Sequence, residues 1–65
     1  NFMKELENKM NEMMQTLIAT AVDVEKFQQG NKSAGTRVRK AMQDIKNLAQ
    51  EVRVEVQEIK NGELV

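Results

Sequence analysis

Six cations stand between residues 26 and 46: Lys26, Lys32, Arg37, Arg39, Lys40 and Lys46, against the single carboxylate of Asp44. Clustered Lys and Arg suit phosphate neutralisation, because each contact releases a counter-ion from a polyanion. Arg37 and Lys40, three apart, share a face of any helix that carries them. Carboxylates form the other group: Glu51 and Glu55, and Glu55 and Glu58, each lie one helical turn apart. Such pairs hold metals or run acid–base chemistry where further groups converge on them; with nothing converging, they read as a solvated surface. The chain has no Cys and no His, which removes disulfides, the usual zinc sites and nucleophile–base pairs. Gly30-x4-Gly35-Thr36 echoes a phosphate-binding loop, but Thr36-Arg37 replaces the required Lys then Ser/Thr, and no strand precedes it. No catalytic residue, metal ligand or cofactor is expected. Phe2 and Phe27 fall at terminal or core positions, so aromatic base stacking is not expected either.

The elements that position these residues are helices. Residues 1–29 and 36–61 contain no Gly, and the chain contains no Pro. Met3, Leu6, Met10, Met13, Leu17, Thr20, Val24 and Phe27 recur at alternating spacings of three and four. Val38, Met42, Ile45, Ala49, Val52, Val56 and Ile59 repeat the pattern. That is the stripe by which one helix packs along another. Only Val52–Val56 alternates by two, and it also fits the helical frame. Gly30 suits the left-handed position after a helix, Ser33 or Thr36 suits the cap of the next, and Gly62 suits a second stop. The sequence therefore predicts a single all-α domain over 1–65: helix 1–29, turn 30–35, helix 36–61. The short link makes the helices an antiparallel hairpin.

A lone hairpin buries little, and in a chain of 65 residues one core supplies only about 3–5 kcal/mol. The apolar stripe is also wide, since Met14, Ile18 and Ala21 extend it on the first helix and Ala41 and Leu48 on the second. A wide stripe suits more than two helices. Two hairpins are expected to pair as a two-fold homodimer, a four-helix bundle, with Met10, Met14, Leu17, Ile18, Ile45 and Leu48 on the partner face. The five Met residues fit core filling or, alternatively, an adaptable groove for a partner helix.

The formal net charge is zero, but it is unevenly spread. Residues 1–25 hold two cations against five anions, residues 26–46 six against one, and residues 47–65 two against four. An antiparallel hairpin then has a basic tip, where end-on phosphate contact is expected, and an acidic open end. Cations at a helix N-terminus oppose the helix dipole, so the chain either accepts a small loss there as a solvated charge run or needs the charge for a partner, a phosphate or an acidic protein. The longest uncharged run, Met13–Val22, is too short to span a bilayer, which needs about 20 residues. No membrane segment is expected, and a cytosolic setting is the default.

The run Gly30-Asn31-Lys32-Ser33-Ala34-Gly35-Thr36-Arg37-Val38-Arg39-Lys40-Ala41 resembles the signature of the bacterial linker-histone-like family that includes chlamydial histone-like nucleoid proteins, close to G-N-K-A-A-G-T-R-A-R-K. The likeness continues more loosely through Ile45, Leu48 and Arg53 to about Lys60. It implies a helical hairpin and non-specific binding or condensation of double-stranded DNA in the nucleoid. The matching basic residues are Lys32, Arg37, Arg39 and Lys40, with Lys46 beside them and Arg53 weaker. The alternative is a structural interaction module, an assembly or scaffold part inside a larger particle, that does not bind DNA.

Overall fold

The computed structural model describes the backbone of residues 2–62 and the side chains of residues 4–62; Met3, expected in the stripe, lies outside those side chains. Two helices, α1 (Phe2–Gln28) and α2 (Lys32–Lys60), form a hairpin, and no strand occurs among the described residues. The rod measures 49 × 15 × 11 Å.

The turn is three residues long because both helix ends are satisfied locally. Gly30 adopts φ +102°, open to glycine without a Cβ penalty. Its N–H donates to the Phe27 carbonyl at 3.0 Å, and the Asn31 N–H donates to Lys26 at 3.0 Å. These two bonds are the Schellman closure of a helix C-terminus. Asn31 then caps α2, its side-chain oxygen accepting from the Ala34 N–H at 3.2 Å. The second helix therefore begins at Lys32, four residues before the expected Thr36. Neither Ser33 nor Thr36 is the cap, because Asn31 reaches the free amides first.

The seam between the helices differs from the expected stripe in one regular way. Leu6, Met13 and Thr20 do face α2, but the residues that join them are three further along, not four: Lys9, Thr16 and Asp23 are the shielded ones. Met10, Leu17 and Val24 are turned to solvent, as is Phe27. On α2 the same offset recurs. Val38, Ile45, Val52 and Ile59 line the seam with Ala34, Ala41, Leu48 and Glu55, while Met42 and Val56 are exposed.

Polar pairing explains the choice. The Lys9 ammonium donates to Glu55 and lies 3.3 Å from Glu51, and Arg37 Nε donates to Asp23 at 3.0 Å. Thr20, only 5 % exposed, donates its hydroxyl to the Thr16 carbonyl at 2.6 Å. The hydrogen bond to Glu55 raises the Lys9 pKa above its ordinary 10.5, against an opposing pull from desolvation. Ala34 is completely buried, and small residues there let the helices approach closely near the turn.

Candidate nucleic-acid interface

The seam fixes the bearing of every other position. Val38, Ile45, Val52 and Ile59 stay half-buried along the seam at seven-residue intervals. Any residue repeated at seven on α2 therefore keeps a constant direction relative to the hairpin. Lys32, Arg39, Lys46, Arg53 and Lys60 are such a repeat, and all five are exposed. Beside this column runs Thr36, Gln43, Gln50 and Gln57, and beyond that Ser33, Lys40, Asn47, Val54 and Asn61, all exposed; Gly35, Met42, Ala49 and Val56 border the cations on the other side. The first three columns form the outer side of α2 and contain no carboxylate.

The acids of α2 lie elsewhere. Asp44, Glu51 and Glu58 form their own seven-residue column along one edge of the seam, and Glu55 lies within the seam. In an antiparallel pair the matching edges of the two helices share a side. Glu5 and Glu12 of α1 thus join the acidic edge, together with Lys26 and Arg37. The opposite edge collects Met10, Leu17 and Val24 of α1 with Met42, Ala49 and Val56 of α2. The rod has an apolar side, an acidic side and a basic side.

The candidate cations divide by their partners. Arg37 is held by Asp23 at 3.0 Å and Lys40 lies 3.4 Å from Asp44. Lys32, Arg39, Lys46, Arg53 and Lys60 join no ion pair among the described residues. Arg53 donates only to the neutral Gln50 side chain, at 3.3 Å. Gln43 donates to Asn47 and Gln57 to Asn61, each at 3.3 Å, so amides also ladder along this side. The sequence signal for the column was its spacing of seven; summing charge by segment hides it, because Arg53 and Lys60 fall in an acidic segment.

The expected partner-face residues separate. Met10, Met14 and Leu17 are about half exposed, and Ile18 is 71 % exposed. Ile45 and Leu48 are half-buried in the seam within the hairpin. Phe27, expected in the core, is 54 % exposed. Its ring lies on Gly35, where a Cβ would stand 2.7 Å from two ring carbons, so the motif glycine makes room for that ring. Phe27, Gly35 and Val38, rimmed by Lys32, Thr36 and Arg39, line a shallow hollow of about 320 Å³.

Residues 4–62 match the family of histone H1-like protein Hc1. The chain belongs to that family. Membership confirms the likeness read from Gly30–Ala41 and extends it across both helices. It carries a general histone-like, DNA-associated role in the nucleoid, in a family of DNA-packaging proteins rather than enzymes. No curated protein and no solved structure matches the chain. Among the described residues no acidic group forms a metal cluster, and no helix is long and apolar enough to cross a membrane.

Proposed function

We propose that this Hc1-family chain binds double-stranded DNA without reading sequence, by neutralising phosphates with cations of α2. The observation that supports it is the unpaired state of Lys32, Arg39 and Lys46, exposed and without an anionic partner among the described residues. A cation already held by a carboxylate must give up that partner before it helps a phosphate; these three need not. Lys40 and Arg37 stand close by but share their charge with Asp44 and Asp23. Zero net charge keeps the attraction modest, since long-range steering follows the whole field of the molecule.

Fluorescence anisotropy with unrelated random duplexes, titrated with salt, tests this reading. Affinity independent of sequence, falling with a log–log slope near −0.9 per phosphate contacted, is the expected result. Absence of duplex binding at low salt defeats it. A second reading has its own observation: the apolar side, with Met10, Leu17, Val24 and Met42 exposed together, suits self-association or a helical partner. The two readings are compatible, because the apolar and basic sides are different surfaces.

A further inference from the structure

We infer that the chain meets DNA lengthwise, along the outer side of α2, and not end-on at the hairpin tip. The inference rests on the phosphate-binding reading and names the surface that performs it.

The column Lys32, Arg39, Lys46, Arg53 and Lys60 carries it. At 1.5 Å per residue its cations recur about every 10.5 Å and span about 42 Å. That exceeds one turn of duplex, about 34–36 Å. Long Lys and Arg side chains can follow a curved backbone over that distance. The flanking glutamines supply hydrogen bonds to phosphate and sugar, which position a protein without reading bases.

End-on contact is the poorer fit on two grounds. At the tip, Arg37 is turned toward Asp23, so its charge is already spent within the hairpin. The free cations point sideways from α2, and Arg53 and Lys60 lie three and four heptads from Lys32, beyond reach of anything held at the tip. The two flanks of the column differ: one is Thr36 and glutamines, the other is Gly35, Met42, Ala49 and Val56 of the apolar side. Cations beside apolar residues also suit an anionic membrane surface, so the family's histone-like character favours DNA and vesicle binding is an outcome of the test.

The experiment is a salt-titrated anisotropy measurement on a random-sequence duplex, with helicity of every variant checked by circular dichroism. Arg53→Gln with Lys60→Gln removes two column cations far from the tip. Lys26→Gln with Arg37→Gln removes two cations near the tip on the acidic edge. Lengthwise docking predicts that the first pair lowers the salt slope by about 1.8 and the second leaves it unchanged. Gln50→Lys with Gln57→Lys, which adds charge beside the column and removes no cation, should steepen the slope. The reverse pattern, loss with the tip pair alone while duplex binding persists, overturns lengthwise docking and leaves the DNA reading standing. No duplex binding by the unaltered protein overturns both. Retention on phosphatidylserine vesicles that is lost with Arg53→Gln and Lys60→Gln, without duplex binding, assigns the column to a membrane and also overturns it.

Discussion

The two helices are of nearly equal length and share one seam, yet their outward sides have little in common. α1 turns Met14, Ile18 and Val22 to solvent beside Glu7 and Glu25. α2 turns out six cations, with amides and hydroxyls between them and no carboxylate. The seam itself is only partly apolar, with Lys9, Thr16, Thr20, Asp23 and Glu55 in or beside it. The difference teaches that this hairpin does not bury its most apolar stripe. It places polar residues with partners inside and leaves two specialised surfaces outside, one apolar and one basic.

The sharpest way to break that comparison is to put the same charge on adjacent residues. Ile45→Asp places a carboxylate in the seam with no cation opposite and is expected to cost about 3 kcal/mol or more. That is most of what a core this small supplies, so circular dichroism should show the helices lost. Lys46→Asp, one residue on, lies on the outward side and should leave helicity intact while weakening DNA binding. Equal unfolding by both substitutions would mean that the outer side also carries packing.

The apolar surface is the next test. Leu17→Gln with Ile18→Gln removes two large exposed side chains. If that surface seats a second copy, sedimentation should show self-association weakened by about 2 kcal/mol or more, with the helix content kept. Sedimentation unchanged by this pair would remove the apolar side from any interface.

Smaller effects refine the turn and the seam. Asn31→Ala removes the cap of α2 and should lower stability by about 1 kcal/mol, whereas Ser33→Ala and Thr36→Ala should have almost none. The Lys9 pair has a pH signature. Because the folded-state pKa of Lys9 lies above 10.5, its contribution is complete below that value and is lost as pH rises through the folded pKa. Denaturant melts should therefore show a decline above pH 10.5 that is smaller in Lys9→Met. A decline of the same size in both proteins would show that the ion pair is neutral for folding.

Much of this hairpin is legible in the sequence, and the part that is not has a clear cause. Two helices follow from the three–four spacing, and their antiparallel arrangement from the Gly30 stop. The frame is where pattern reading fails. Apolarity alone favours Met10, Leu17 and Val24 over Lys9, Thr16 and Asp23, because a pattern cannot see Glu51, Glu55 and Arg37 waiting on the other helix. The start of α2 escapes the pattern for a similar reason: Asn31, Ser33 and Thr36 are all capping types, and geometry alone selects between them. The basic column was present in the spacing of Lys32, Arg39, Lys46, Arg53 and Lys60, but it becomes a surface only once the seam shows that a period of seven is held over the whole of α2.

The column of Asp44, Glu51 and Glu58 lies nearly opposite the cationic column around the circumference of α2. A neutral rod built this way has little monopole but a strong transverse dipole. Its pull on a polyanion fades within about a Debye length, roughly 8–10 Å at ordinary ionic strength, and inside that distance acts mainly as a torque. Rolling half a turn about the long axis exchanges an attracted side for a repelled one. Rotation about a single axis, more than translation, then sets how long such a rod stays on a charged filament.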